Sequence, residues 1–99
     1  MSDVKFSLAA LRDLDEILDY IAGDKRDAAR NVVARIRASC DRLGAFPNRG
    51  ELLEELGPRI RRITVGSYNI YYRPGGDGTL LIMRVRQGAC DDPDDTMDD

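Results

Sequence analysis

The sequence contains no histidine, and this absence narrows the chemistry that the chain can perform. Without histidine, Ser-His-Asp and Cys-His catalysis and histidine-ligated metal sites are excluded. Its two cysteines, Cys40 and Cys90, lie far apart in the chain, which indicates neither a disulfide framework nor a zinc site. The glycines around Gly76 connect two predicted strands and do not open a phosphate-binding helix. We therefore expect no bound metal and no cofactor, whereas acid-base chemistry by paired carboxylates and nuclease chemistry by arginine and tyrosine remain open.

Long apolar runs are also missing from the sequence. No stretch approaches the roughly 20 apolar residues that a membrane span requires, and the first residues lack the pattern of a signal peptide. We therefore expect a cytoplasmic protein with no membrane partner. The 99 residues, of which 42% are hydrophobic and 33% charged, predict one globular domain over residues 1–90.

Charge is distributed unevenly along the chain. The net charge is −3, yet six aspartates fall within residues 91–99, which we predict to be an acidic, disordered tail. Residues 59–86 contain six arginines and one aspartate, a local charge of +5. Arginine rather than lysine favours bidentate contacts with carboxylate or phosphate. The tail could lie back on these arginines and compete with an outside partner.

Two amphipathic helices are predicted in the first half of the chain. Ser7 stands where an N-cap is expected, and apolar residues then recur at helical spacing until Gly23, with Asp13 assigned to the opposite, polar face. Asp24 is the expected N-cap of the second helix, and Gly44 is its expected C′ residue. The short connection predicts a helical hairpin.

The second half of the chain predicts strands. A strand over residues 4–6 precedes the helices, and after an irregular segment, residues 51–58, three strands follow. Gly66-Ser67 is a two-residue hairpin turn in which glycine supplies the positive φ of a type II′ turn. The fold class is therefore α+β, in the order β-α-α-β-β-β, with a three-stranded antiparallel meander and both helices on one sheet face.

The hairpin over residues 60–73 is rich in arginine and tyrosine, the side chains most enriched in binding interfaces. An ordinary amphipathic hairpin with solvated arginines is the alternative. The alternation of a strand places Tyr68, Ile70 and Tyr72 on one face, which we expect to join the core. Tyr71 and Arg73 are then expected on the exposed face.

Several short motifs follow one another in a fixed order from Phe6 to Gly88. They are Leu8-Ala9-Ala10-Leu11-Arg12-Asp13-Leu14, Ile17, Tyr20-Ile21-Ala22, Leu43, Phe46-Pro47, Gly50, Leu56-Gly57-Pro58, Arg61-Arg62, Val65-Gly66, Tyr68-Asn69-Ile70-Tyr71-Tyr72-Arg73 and Arg84-Val85. In order and spacing these motifs resemble the RelE/ParE superfamily of toxin-antitoxin toxins, and its ParE branch in particular. The resemblance covers nearly the whole chain, although no single motif is diagnostic.

The resemblance implies a bacterial toxin that has no catalytic residues, inhibits growth and takes part in plasmid stabilisation. Toxins of the ParE type bind and inhibit DNA gyrase, and a ParD-like antitoxin neutralises them in a hetero-oligomer, such as two toxins with an antitoxin dimer. DNA would be contacted only through the antitoxin or gyrase. The residues expected to contact the antitoxin are Arg61, Arg62, Tyr71, Arg73, Arg84 and Arg86.

The sequence departs from the family after the last strand. Where His-Gly-x-Arg is common, this chain has Gln87, Gly88, Ala89 and Cys90, which the resemblance makes the expected target-binding residues. A RelE-like, ribosome-dependent mRNA endonuclease is one alternative, and a non-toxic antitoxin-binding homologue is another. The absence of tyrosine after Tyr72 favours the ParE branch over the RelE branch.

Overall fold

The structure is a computed structural model that describes residues 3–22 and 25–88, with the backbone alone for residues 21 and 22. The predictions made for Gly23, Asp24, Ala89, Cys90 and the tail lie outside the described residues. The elements are β1 (Val4–Phe6), α1 (Leu8–Ala22), α2 (Arg26–Leu43), β2 (Glu51–Leu52), a 3-10 turn (Glu54–Leu56), β3 (Arg61–Val65), β4 (Tyr68–Pro74) and β5 (Leu80–Gln87).

The strands form one mixed sheet in the order β1-β5-β4-β3-β2. β1 runs parallel to β5, and the remaining neighbours are antiparallel. This arrangement confirms the predicted α+β fold with a helical hairpin and a three-stranded meander. The two-residue strand β2 was not predicted from the sequence. Within the described residues, no helix is long and apolar enough to cross a membrane.

Local signals set the ends of the helices. The Ser7 hydroxyl accepts a hydrogen bond from the Ala10 N–H at 3.0 Å, which confirms the predicted N-cap of α1. Lys25 holds the N-cap position of α2 and makes no side-chain cap. Gly44 follows the last helical residue but has φ −59°, so the expected left-handed glycine cap is wrong. The Gly44 N–H instead continues the helical turn by donating to backbone carbonyls of the last turn.

The main core lies between the helices and the sheet. Alternate residues of β4 point into it, as Ile70 and Tyr72 do, and both are fully buried. This confirms the core face predicted for the hairpin, with Tyr68 partly buried at its margin. The buried members of this core are Ala10, Leu14, Ile17, Ile36, Cys40, Leu43, Ile70, Tyr72, Leu80, Ile82 and Val85.

A second, smaller core covers the other face of the sheet. The segment from Leu53 to Ile60 folds over this face and buries Tyr71, which is only 1% exposed. The expectation that Tyr71 lies on an exposed face is therefore wrong, because a cover from an irregular segment is invisible to strand alternation. The members of this core are Leu53, Leu56, Ile60, Tyr71 and Met83, with Leu81 packed against them.

The hairpin and the last strand contain two local irregularities. Val65 pairs with Tyr68 across the two-residue turn, and Gly66 has φ +59°, as the sequence predicted. The last strand contains a bulge, because Tyr71 pairs with Arg84 whereas the next residue, Tyr72, pairs with Ile82. The extra residue, Met83, shifts the alternation and lets Val85 join the main core with Ile82.

The Tyr72 hydroxyl fastens the loop between α2 and β2 to the sheet. It donates a hydrogen bond to the Pro47 carbonyl at 2.9 Å and accepts one from the Gly50 N–H at 2.8 Å. A Cβ atom on Gly50 would lie 2.6 Å from this hydroxyl and 2.9 Å from the Arg62 carbonyl. Glycine is therefore required at position 50 by the close approach of the chain to the sheet.

We expect Gly50→Ala and Tyr72→Phe to lower the free energy of unfolding, each by about 1–3 kcal/mol. The first change forces a steric overlap, and the second leaves the buried Gly50 N–H without its acceptor. Urea denaturation of the purified variants measures the effect. Gly76→Ala is the matched control, since no atom lies within 4 Å of an added Cβ there. Equal stability of Gly50→Ala and Gly76→Ala would contradict this assignment.

Candidate binding surface

Ser7, which precedes α1, and Asp13 of α1 form hydrogen bonds with the backbone at the edge of β5. Beyond Phe6, the last residue of β1, the Ser7 N–H donates to the Ile82 carbonyl and the Ser7 hydroxyl donates to the Met83 carbonyl at 2.8 Å. The Asp13 carboxylate then accepts a hydrogen bond from the Val85 N–H at 2.9 Å. These contacts satisfy backbone groups that the short strand β1 cannot reach.

Asp13 also holds the guanidinium group of Arg84. The Arg84 Nε lies 2.8 Å from Asp13 Oδ2, and the Arg84 Nη2 lies 3.0 Å from Oδ1, a bidentate arrangement. The side chain of Asp13 is 9% exposed and that of Arg84 is 32% exposed. The hydrogen bonds that Arg84 donates to Asp13 raise the pKa of Arg84 above its ordinary value, against a smaller effect of burial. The ion pair therefore ties α1 to β5.

This role of Asp13 was not predicted from the sequence, where helical spacing assigned Asp13 to the polar face of α1. The error has a visible cause, because Asp13 falls within the buried stripe of the helix between Ala10 and Ile17. A lone carboxylate at a stripe position signals a buried partner, since an unpaired buried charge is costly. The helical spacing of Asp13 is sufficient to predict a buried partner, but it does not identify that partner as Arg84.

A cleft of about 380 Å³ opens beside this ion pair, between α1 and the ends of β4 and β5. Tyr20 stands at its margin with 81% of its surface exposed. Tyrosine and arginine together offer a large contact area and directional polar groups. The side chains that line the cleft are Asp13, Glu16, Ile17, Tyr20, Tyr68, Arg84, Val85, Arg86 and Gln87.

The predicted arginine contacts are divided between two places on the sheet. Arg84 and Arg86 line the cleft, whereas Arg61 and Arg62 lie on β3, beyond β4. The Arg61 Nη1 donates to the Gly50 carbonyl at 2.7 Å, and the Arg62 Nη2 pairs with the Glu51 carboxylate at 3.0 Å. These two arginines therefore fasten the loop and β2 to the sheet.

The remaining predicted site residues lie in different surroundings. Arg73 is half-buried near the end of β4, and Tyr71 is buried in the second core, where it cannot contact a partner unless the cover moves. Gln87 is exposed at the end of β5, and the Gly88 N–H donates to the Ser67 carbonyl of the hairpin turn. The structure thus brings Gln87 to the cleft, with Gly88 next to it.

No group of three or more Asp, Glu or Cys side chains within the described residues is arranged to hold a metal ion. Cys40 is buried in the main core, where desolvation raises the pKa of its thiol to about 12. The thiol is therefore protonated at neutral pH, as expected for a core cysteine. The chemistry of the described surface is that of arginine, tyrosine and carboxylate groups.

Comparison with known families gives a match over nearly the entire chain. Residues 4–91 match the sequence profile described as the ParE toxin of the type II toxin-antitoxin system, parDE. The chain belongs to the ParE toxin family. It is therefore a type II toxin of the RelE/ParE superfamily, which confirms the resemblance seen in the sequence.

Three curated relatives are described as toxins, one of them named for ParE and one for RelE. The chain is 49% identical over 85 residues to the putative toxin Y4kP of Sinorhizobium fredii, covering 85% of this chain and 88% of that one. It is 34% identical over 93 residues to toxin RelE2 of Caulobacter vibrioides, covering 90% and 98%. It is 32% identical over 65 residues to toxin ParE1 of Mycobacterium tuberculosis, a match that covers 66% of each chain, just under two thirds of that relative.

Solved structures show the same architecture as this ParE toxin. A chain of the chromosomal ParDE system from P. aeruginosa superposes with a TM-score of 0.74 at 24% identity, covering 88% of this chain and 96% of that one. A chain of the RelBE2 toxin-antitoxin complex from Mycobacterium tuberculosis gives a TM-score of 0.65 at 26% identity, covering 87% and 96%. The fold of the toxin is therefore that of its family.

We expect Asp13→Asn to lower the free energy of unfolding of the toxin by about 2–3 kcal/mol. The neutral amide cannot hold Arg84 as an ion pair and offers one acceptor oxygen where the carboxylate offers two. Chemical denaturation at neutral pH measures the loss. Asp15→Asn, at an exposed position of the same helix, should change stability by less than about 0.5 kcal/mol. If the two variants were equally stable, the ion pair would have no part in holding α1 on the sheet.

Proposed function

We propose that this ParE toxin inhibits DNA gyrase by binding it and does not cleave nucleic acid. The observation that carries the proposal is the bidentate capture of Arg84 by Asp13. A phosphodiester-cleaving site needs a cationic group, such as an arginine, that can meet the phosphate charge as it develops. Removing Arg84 from Asp13 would leave a nearly buried carboxylate without its charged partner, which costs several kcal/mol.

The tyrosines of the hairpin support the same proposal. A tyrosine that relays a proton needs an accessible hydroxyl within hydrogen-bond reach of the substrate. The Tyr72 hydroxyl is occupied by the Pro47 carbonyl and the Gly50 N–H, and burial raises its pKa. Tyr71 is buried beneath the Leu53 to Ile60 segment. Two tyrosines of the hairpin, Tyr71 and Tyr72, thus have structural roles in the fold.

The cleft beside Arg84 is the surface that we assign to gyrase. It presents Tyr20, Tyr68 and Arg86, residue types that are enriched among the energetic centres of protein interfaces. It also contains Gln87, the first residue of the segment that family resemblance links to toxicity. Binding here would let the toxin hold one conformation of its target without chemistry of its own.

A ParD-like antitoxin is the proposed neutralising partner. Two structural relatives are described as ParDE and RelBE toxin-antitoxin systems, and this supports an antitoxin partner for the present chain. We propose a hetero-oligomer such as two toxins with an antitoxin dimer, in which Arg86 at the cleft and Arg62 and Arg73 on the sheet meet antitoxin carboxylates. Release from this complex would inhibit growth, and this effect underlies plasmid stabilisation.

Purified toxin should inhibit supercoiling by gyrase, and Tyr20→Ala should raise the concentration needed for half-inhibition by about tenfold. The change removes an exposed aromatic ring from the cleft without disturbing the core. A gel-based supercoiling assay with relaxed plasmid measures this. Phe46→Ala is the matched control, because Phe46 is exposed and lies outside the cleft. Full gyrase activity at a large excess of folded toxin would overturn the proposal.

A RelE-like, ribosome-dependent endonuclease remains the second candidate, supported by the similarity to toxin RelE2 and by the presence of Arg86 and Tyr68 in one cleft. Mapping of transcript 5′ ends after induction separates the two candidates. New ends at ribosome-bound messages would support the nuclease. Unchanged gyrase activity together with no new ends would leave a non-toxic antitoxin-binding homologue.

For the antitoxin interface, we expect Arg86→Ala to weaken binding by about tenfold or more, because an interfacial arginine-carboxylate contact is lost. Isothermal titration of the toxin with its antitoxin, or with the C-terminal peptide of the antitoxin, measures the change. Arg49→Ala removes an exposed arginine from the loop after α2 and should have little effect. Equal affinity of the wild type and the variants Arg62→Ala, Arg73→Ala and Arg86→Ala would contradict the proposed interface.

A further inference from the structure

The second helix has a strongly basic surface that the proposed function does not use. α2 contains five arginines and two aspartates, a net charge of +3, and Lys25 precedes it. All five arginines are exposed, and none forms an ion pair with any residue in the described part of the chain. The five arginines are Arg26, Arg30, Arg35, Arg37 and Arg42.

The side chains in the middle of this surface are small. Residues of an α-helix are separated by about 100° around its axis, which places Asn31, Ala34 and Ala38 along one line opposite the buried side of α2. All three are exposed. The aspartates of the helix, Asp27 and Asp41, lie near the same line in the first and last turns, so only its central turns are uncharged. The backbone of α2 can therefore approach a partner closely over its central turns.

Arginines flank this line on both sides. By the same spacing, Arg30 and Arg37 lie along one side of the alanine line, whereas Arg35 and Arg42 lie along the other. The Arg37 guanidinium is also positioned over the Phe6 ring at 5.0 Å, so it is held near the sheet. α2 thus presents a narrow uncharged ridge between two rows of cations.

We propose that this face of α2, which we call the α2 basic face, docks on duplex DNA. The helix would lie in the major groove, which is about 12 Å wide and admits one α-helix. The two rows of arginine would reach phosphates on the two sides of the groove, contacts that position a protein without reading sequence. The inference stands on α2 alone and does not require gyrase to be the target, and it departs from the expectation that DNA is contacted only through the antitoxin or gyrase.

An acidic protein is a weaker fit to the α2 basic face than DNA. Protein interfaces depend on large buried anchors, usually aromatic or long side chains near their centre. In the described part of the chain, the exposed large hydrophobic residues are Leu8, Leu11, Tyr20, Phe46 and Leu52, and none belongs to α2. Arginine matches phosphate geometry in a bidentate manner, and phosphate backbones provide charge on both flanks of a groove.

Fluorescence anisotropy of the full chain with a labelled duplex of about 25 base pairs tests the proposal. With four phosphate contacts, the logarithm of the binding constant should fall with the logarithm of salt concentration at a slope of about −3.6, so affinity drops about 100-fold between 50 and 200 mM salt. The triple variant Arg30→Gln, Arg35→Gln and Arg42→Gln should weaken binding at least 30-fold at 50 mM salt and reduce the slope by about 3.

The matched control is the triple variant Arg12→Gln, Arg49→Gln and Arg59→Gln, which makes the same charge change at exposed positions outside α2. It should keep duplex affinity within about threefold. Circular dichroism and urea denaturation confirm that both triple variants are folded. Equal losses in the two triple variants would show that only net charge matters and would overturn the proposal.

Three further outcomes would also overturn it. Absence of duplex binding at 50 mM salt excludes a DNA site. Equal affinity for a single strand of the same length excludes docking in a groove. Displacement by polyglutamate at the same concentration of charge would assign the α2 basic face to acidic proteins. None of these measurements contains gyrase, so their failure is distinct from a negative supercoiling assay.

Discussion

The Asp13 carboxylate is the group on which the arrangement of this toxin depends. Its two oxygens receive the Arg84 guanidinium and the Val85 N–H, and so join α1 to the last strand where β1 has ended. Without this carboxylate, the Arg84 guanidinium and the Val85 N–H of β5 would both lose a hydrogen-bond partner at a nearly buried position. The same contact forms one wall of the cleft and engages Nε and Nη2 of Arg84.

Both faces of the sheet are covered, and most of the arginine and tyrosine side chains of the hairpin therefore stabilise the fold. The helices cover one face and bury Tyr72, whereas the Leu53 to Ile60 segment covers the other and buries Tyr71. Arg61 holds the loop at Gly50. The surfaces that we propose for binding lie at the margins, in the cleft beside α1 and on the solvent face of α2. Our proposal of gyrase inhibition requires only shape and charge at these surfaces.

Most of the fold could be predicted from the sequence because its signals are local. Ser7 caps α1 within one turn, and Gly66 sets the hairpin within two residues. The predicted contacts Arg84, Arg86 and Gln87 lie at the cleft, but the pairing of Asp13 with Arg84 could not be predicted, because the two residues are 71 positions apart and chain periodicity carries no information on such pairs. The burial of Tyr71 was not predicted for a related reason, because the leucines of the segment that covers it follow no regular period. The family resemblance gave the toxin class but placed neither contact.

The central claim is that Asp13 and Arg84 act as one unit in the folded toxin. A double-mutant cycle in the free energy of unfolding tests it directly, with Asp13→Asn, Arg84→Gln and the double variant measured by urea denaturation at pH 7. We predict a coupling energy of about 1.5 kcal/mol or more, because each single change removes the same contact. A coupling energy near zero would contradict the account, since the two side chains would then contribute independently and Arg84 could leave Asp13 for a phosphate.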